Sequence, residues 1–199
     1  MDTLPALLDR GAPGRDVAAL LDEMDVAGRR AALQLLTGPQ QRVLYEGAAQ
    51  AEPLSLEDFV PGTLAPLKPI AHHGVNTLPL PASGRLFTKW MTRQTDGTVA
   101  GWNGSPWAWL IGPGYFVLRP SEGDEQRHGS VVVDYYRTPG GEMPAGWPWV
   151  RPNWLGLQAL VYGWCHDHMR RVGHHVTIGA AWKWGRPVGS WFVLAREEG

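Results

Sequence analysis

The first sixty residues show the periodicity of short amphipathic helices. Apolar residues recur at helical spacings in VAALLDEM, VAGRRAALQLL and QQRVLYEGAAQ. Asp16 and Asp25 are suited to cap the first two runs, and Thr37-Gly38-Pro39 precedes the third, where proline fits a first helical turn. We therefore predict a helical annex over residues 1–60, which gains its stability by packing its apolar faces against the rest of the chain.

From residue 61 onward the pattern is typical of an antiparallel sheet. His72-His73 lies on or near a first strand. Turns rich in Gly, Pro and Asp then separate short segments with many aromatic and β-branched residues: RLFTKWMTR, TVAGWN, PWAWLIG, YFVLRP and SVVVDYYRT. This regular spacing predicts a meander that curls into a barrel or half-barrel. We expect residues 61–199 to form one such body.

One long helix is expected inside this body. Asn153 is suited to an N-cap and Gly173 to a C-cap, and apolar residues between them follow the i, i+3, i+4, i+7 pattern over 154–172. Two last strands, HHVTIGAAWKW and VGSWFVLARE, then predict a hairpin. The fold class is therefore α+β: short N-terminal helices, then a curled antiparallel β-sheet, with one long helix before a C-terminal β-hairpin.

Composition bounds the class of protein and its partners. With 44% hydrophobic and 19% charged residues, the chain has the composition of a folded globular protein. The net charge of −1 gives no general attraction to nucleic acid or to an anionic membrane. A single cysteine and a start without a secretory-signal pattern favour a cytoplasmic location. We expect neither nucleic acid nor a membrane as partner, and the oligomeric state stays open.

The histidine-rich stretch WCHDHMRRVGHHVTIG, residues 164–179, raises the question of a metal site. Its spacing matches neither a zinc pattern of paired cysteines and histidines nor two histidines at i and i+4. We predict no metal there, and leave open a site that takes one histidine from each of two adjacent pairs, 72–73 and 174–175. Phosphate-binding loops, dinucleotide fingerprints and nucleophile elbows are also missing from the sequence, so no cofactor is expected.

Three residues are candidates for acid/base chemistry. Asp134 and Lys89 lie among apolar residues of predicted strands, where a charge is costly unless it is paired. Burial would raise the pKa of Asp134 and make it a general acid or base. The alternative is an ion pair between Asp134 and a basic residue of a neighbouring strand, such as Lys89 or Arg119. His175 shares a face with small residues at 177, 179 and 181, which leave room for a ligand or for a closely packed helix.

Other residues are candidates for binding a ligand. Asn103 and Tyr115 border turns of the meander and could orient a ligand oxygen, and His168 either packs in the core or forms a pocket floor. All eleven tryptophans lie between residues 90 and 191, which favours a core with aromatic walls at one mouth. The remaining predicted ligand contacts are Tyr136, Thr177, Trp102 and Trp164.

The sequence leaves two functions open. The first is binding of a small, largely apolar or aromatic molecule in a β-lined pocket. If that protein is an enzyme, it would catalyse an isomerase, cyclase or lyase step with acid/base groups alone. The second is a binding or interaction module without catalysis, which would use a Trp-rich surface.

Overall fold

Eight antiparallel strands close into a barrel in a computed structural model that describes residues 2–198. Each strand pairs with the next along the chain, and the last pairs with the first. The strands are β1 (Ile70–Asn76), β2 (Leu86–Arg93), β3 (Val99–Gly104), β4 (Phe116–Pro120), β5 (Val131–Asp134), β6 (Cys165–Arg171), β7 (Val176–Lys183) and β8 (Arg186–Arg196). Closure leaves no unpaired sheet edge, which confirms the predicted antiparallel barrel.

Four short helices cover one side of the barrel. They are α1 (Leu4–Asp9), α2 (Gly14–Asp22), α3 (Val26–Gln34) and α4 (Gly38–Gly47). Asp25 caps α3 as predicted, whereas Asp16, the other predicted cap, lies in the first turn of α2. Thr37 caps α4, and Pro39 lies in its first turn as predicted. Their apolar residues share one core with outward-facing residues of β1, β7 and β8. Within residues 2–198, no helix is both long enough and apolar enough to cross a membrane.

The long helix predicted over 154–172 is wrong. The structure has one short helix, α6 (Gln158–Val161), and then strand β6. The break lies at Trp164, whose φ of 58° no α-helix accommodates. The predicted caps have other roles: Asn153 donates to the carbonyl oxygens of Tyr115 and Tyr135, and Gly173 lies in the turn between β6 and β7.

One predicted strand is also wrong. PWAWLIG belongs to the connection between β3 and β4 and contains the short helix α5 (Ala108–Ile111). Trp109 in that helix is 81% exposed, so its apolar character does not reflect a place in the sheet. The other predicted strands are present, and β6 fills the position between β5 and β7 that the barrel needs to close.

The two ends of the barrel differ. At the closed end, residues 54–64 insert apolar side chains, among them Leu54, Phe59 and Val60, into the core of the barrel interior. His72 on β1 faces this plug and contacts the carbonyl oxygen of Phe59 through Nε2 at 2.9 Å. Burial lowers the pKa of His72 to about 3, so its ring is neutral at pH 7. The open end is formed by the connections 77–85, 105–115, 135–164 and 184–185.

Candidate functional site

Strand alternation places four polar side chains inside the barrel. Lys89 on β2 pairs in register with Asn103 on β3, so both point to the same face of the sheet. Asp167 on β6 also points into the barrel, where it contacts Lys89, and Tyr135 follows the end of β5. All four are at least 95% buried. These residues, Lys89, Asn103, Tyr135 and Asp167, are named the interior polar cluster.

The amine of Lys89 is the centre of the interior polar cluster. Its Nζ donates to Tyr135 Oη at 2.5 Å, to Asn103 Oδ1 at 3.0 Å and to Asp167 Oδ2 at 3.4 Å. Asn103 is itself held by a hydrogen bond from its Nδ2 to the carbonyl oxygen of Gly114 at 2.8 Å. The three donors of an ammonium group thus have three oxygen acceptors around a side chain that is 2% exposed.

Aromatic rings surround the same nitrogen. The ring centroids of Phe116, Phe192 and Tyr135 lie 4.8, 4.9 and 5.1 Å from Lys89 Nζ, and that of Phe87 lies 5.7 Å away. Ring faces attract a cation, and they also exclude water from it. The four rings therefore stabilise a positive charge on Lys89 only in part, because the low dielectric around the nitrogen raises the free energy of the charged form.

Burial moves the two ionisable partners toward their neutral forms. It lowers the pKa of Lys89, which the carboxylate of Asp167 partly offsets. It also raises the pKa of Asp167, against the opposite effect of Lys89. Both shifts favour the neutral form of the group concerned. A proton can therefore pass between the amine and the carboxyl group at a smaller free-energy cost than in water. Burial likewise raises the pKa of Tyr135 well above its usual value, so its phenol keeps its proton.

A cavity of about 560 Å³ connects the interior polar cluster to the open end of the barrel. This volume lies within the range of small-molecule pockets. All four members of the cluster line it, together with apolar residues such as Ile111, Tyr162 and Phe192. The cavity is thus an apolar chamber with its polar groups gathered at one place, the arrangement that fixes the orientation of a small ligand.

The predicted acid/base residue Asp134 lies outside this cavity. It ends β5 on the outer face of the barrel, where its Oδ2 accepts from Arg119 Nε at 3.1 Å and Oδ1 lies 3.3 Å from His166 Nε2. Arg119 also binds Glu125 through two nitrogens, at 2.6 and 2.8 Å. These partners outweigh burial and lower the pKa of Asp134 to about 2. The ion pair with Arg119, the alternative from the sequence, is therefore present, and the raised pKa is not.

His175 is also separate from the interior polar cluster. It precedes β7 near the closed end, where its Nδ1 lies 3.2 Å from a guanidinium nitrogen of Arg196. The small residues on its face do point inward, but the space at Gly179 is already occupied: a β-carbon there would lie 2.4 Å from the Phe192 ring and 2.7 Å from Met169 Sδ. Thr177 points inward as well, is buried, and does not line the cavity.

Five further predicted contacts lie away from the cavity. His168 is on the outer face of β6 against Trp182, and burial lowers its pKa to about 4. Tyr136 and Tyr115 pack outside as well, the first against His166 and the second with its hydroxyl donating to the Pro148 carbonyl oxygen. The two tryptophans proposed as walls form pairs outside the cavity, Trp102 with Trp147 and Trp164 with Trp184. Of the predicted site residues, the structure brings Lys89 and Asn103 together in the cavity.

The residues that sequence reasoning missed are Asp167, Tyr135, Tyr162 and Phe192. Asp167 was placed on a helix, where its neighbours gave it no role. The signal that would have found it is period-two alternation: Cys165, Asp167 and Met169 share the inner face of β6. Opposite Asp167 and Met169 lie the small residues Ala181 and Gly179 of β7.

A groove on the outer surface is less suited to be the site than the barrel cavity. A groove of about 470 Å³ lies between α3 and the outer faces of β1, β2 and β3, but it holds no buried charged group.

Among residues 2–198, no three His, Cys, Asp or Glu side chains are grouped so that they could hold a metal ion. The adjacent histidines 72 and 73 face opposite sides of β1, with His73 Nε2 2.8 Å from Glu197 Oε1 on the outside.

No protein-family model, curated protein or solved structure matches this chain.

Proposed function

We propose that this protein binds one small, largely apolar or aromatic molecule in the barrel cavity, with the polar end of the ligand at the interior polar cluster. The observation that carries this proposal is the buried Lys89 amine, which lines an otherwise apolar cavity of about 560 Å³. A buried ionisable group in a concave pocket is a common mark of a functional site, because a structural core would favour an apolar residue there.

The cluster favours a neutral polar group on the ligand. A carboxylate or phosphate would lose its hydration in this apolar cavity, next to an amine that already has the Asp167 carboxyl group 3.4 Å away, and this cost disfavours anions. A carbonyl or hydroxyl oxygen has a smaller desolvation cost and can accept from the amine of Lys89 or the phenol of Tyr135. The substrate or ligand class is therefore an uncharged carbonyl or hydroxyl compound with an apolar or aromatic body.

Acid/base chemistry at this site would use a different set of residues from the pair of Asp134 and His175. Lys89 and Asp167 can exchange a proton, and Tyr135 can donate a hydrogen bond to an oxygen that gains charge. A step that moves a proton next to a carbonyl, as in isomerases, cyclases and lyases, needs these two roles. No metal or redox group enters such a step.

A titration with a neutral aromatic probe tests the proposal. N-phenyl-1-naphthylamine, whose fluorescence rises in apolar surroundings, is expected to bind saturably with one site per chain. Native mass spectrometry of the protein purified from its own host is expected to show a co-purified uncharged molecule. Fluorescence that rises linearly with probe, without saturation, would contradict the proposal.

A second candidate function rests on the exposed tryptophans. Six of the eleven have at least 42% of their surface exposed, and all six lie in the open-end connections or beside β6: Trp107, Trp109, Trp149, Trp154, Trp164 and Trp184. The same connections hold Arg85, Arg137 and Arg151 against a single acidic residue, Glu142. Interfacial tryptophans on the same connections as cationic side chains suit an anionic phospholipid surface, so we propose that surface as the partner of this end. This proposal departs from the expectation of no membrane partner, which rested on the net charge of the whole chain.

Vesicle sedimentation tests this second candidate. Wild-type protein is expected to co-sediment with vesicles that contain anionic phospholipid, and replacement of Trp109, Trp149 and Trp154 by serine is expected to reduce the bound fraction at least several-fold. The matched control is Leu35→Ser, because Leu35 on the far helical side is also 62% exposed. Equal loss in the control, or equal binding of the triple variant, would argue against the surface.

A further inference from the structure

Lys89 differs from the two other lysines of this chain, Lys68 and Lys183, in its surroundings. Lys68 is exposed, and Lys183 donates to the carbonyl oxygens of Ala159 and Leu160 at the cavity mouth. Lys89 alone is fully buried, lines the inner end of the cavity and has a carboxyl group and a phenol within hydrogen-bond reach. These are the surroundings that turn a lysine amine into a nucleophile.

We propose that Lys89 Nζ forms an imine with aldehydes or ketones of aromatic or apolar compounds that enter the barrel cavity. This inference rests on the proposed function, since the carbonyl compound has to bind in that cavity first. It goes further than that function because it assigns a covalent step and a carbonyl group to the ligand.

The step balances with groups already present. The lone pair of the neutral Lys89 amine attacks the carbonyl carbon, the C=O π electrons move to oxygen, and a proton from nitrogen reaches that oxygen to give a carbinolamine. The nitrogen lone pair then expels the hydroxyl group, which takes the proton of the Asp167 carboxyl group and leaves as water. The products are an iminium ion, the Asp167 carboxylate and one water molecule, with no oxidant or reductant.

The geometry supports each part of this step. Asp167 Oδ2 lies 3.4 Å from Lys89 Nζ, so the carboxylate can remain as the counter-ion of the iminium nitrogen. Tyr135 Oη lies 2.5 Å from the same nitrogen, close enough to donate to the carbinolamine oxygen. Asn103 Oδ1, at 3.0 Å, accepts from the amine and fixes its direction. The surrounding rings exclude bulk water, which slows hydrolysis of the imine.

Reductive trapping tests the inference. The protein is incubated with 6-methoxy-2-naphthaldehyde and sodium cyanoborohydride, and peptides are mapped by mass spectrometry. We expect one adduct per chain on Lys89, with the mass of the probe less one oxygen atom. Lys68→Met, which replaces an exposed lysine outside the cavity lining, is expected to label like wild type. The double variant Lys89→Met/Asp167→Leu, which leaves no unpaired charge inside, is expected to lose the adduct.

The same experiment separates the two proposals. The non-carbonyl analogue 2-methoxynaphthalene should bind the cavity and reduce labelling of Lys89 by competition. If the analogue binds but the adduct is missing, or is confined to Lys68 or Lys183, the imine inference is wrong and the proposed binding function stands. If neither the aldehyde nor the analogue binds, the binding function itself is wrong, and the imine inference with it.

Discussion

Replacing Asp167 by leucine is expected to lower the free energy of unfolding by about 3–5 kcal/mol, because it leaves the buried Lys89 amine without its carboxyl partner. Lys89→Met alone should have a similar effect, since it leaves the carboxyl group of Asp167 buried alone. The double variant Lys89→Met/Asp167→Leu replaces both by apolar side chains of similar size. It should therefore lie within about 1–2 kcal/mol of wild type. Urea denaturation of the four proteins, followed by circular dichroism, gives the coupling free energy.

The matched control is an ion pair on the surface of the same chain. Arg42 Nε lies 2.8 Å from Glu46 Oε1 in α4, closer than Lys89 lies to Asp167, but the two side chains are 61% and 58% exposed. A double-mutant cycle there is expected to give a far smaller coupling free energy than the buried pair, because water screens the two charges. If the cycle at Lys89 and Asp167 were equally small, the two groups would not depend on each other, and the interior polar cluster would lose its special role.

Replacing Ala181 by tryptophan is expected to weaken binding of N-phenyl-1-naphthylamine at least tenfold, or about 1.4 kcal/mol. Ala181 lines the cavity and lies opposite Asp167 in the register of β6 and β7. An indole ring at this position would fill space next to the interior polar cluster, which the ligand is expected to use. A fluorescence titration measures the effect, and the melting temperature shows whether the fold is kept.

The control for this variant is Ala108→Trp. Ala108 begins α5 at the open end but does not line the cavity, so a tryptophan there should leave the affinity for the probe within about twofold of wild type. Equal weakening in both variants would indicate that the probe binds to the exposed tryptophans of the open end. Unchanged affinity in Ala181→Trp would place the binding site outside the barrel.

The fold was largely predictable in strands where residues on the two faces also differ in hydrophobicity. In β7, Val176, Ile178 and Ala180 face the helices, and the residues between them face the barrel interior. In β6 the same alternation is hidden, because the inner face includes Asp167 and the outer face includes His168, which Trp182 covers. Apolar residues before β6 happened to match a helical period, so periodicity alone predicted a helix. Hydrogen bonds with β5 and β7 decide in favour of a strand.

The candidate site was predictable only in part, for a related reason. Lys89 and Asn103 could be recognised because each is a polar residue in a predicted strand. The pairing of Lys89 with Asp167 joins residues 78 positions apart, and no local pattern indicates it. Asp134 was recognised by the same reasoning as Lys89, yet it points outward. Whether a polar residue at a strand end faces the interior depends on register, which closure of the whole barrel sets.

The sequence by itself determined the α+β class, three of the four N-terminal helices, most strands and two of the four residues of the interior polar cluster. It did so because helix caps, turn residues and hydrophobic periods act over a few neighbouring residues. Only the tertiary structure decided that β6 is a strand, that Asp167 and Tyr135 meet Lys89, and that exposed tryptophans and arginines gather at one end. Those facts depend on contacts between segments that are distant in the sequence. The net charge of −1 is a sum over the whole chain, so it does not show that arginines gather at one end of the barrel.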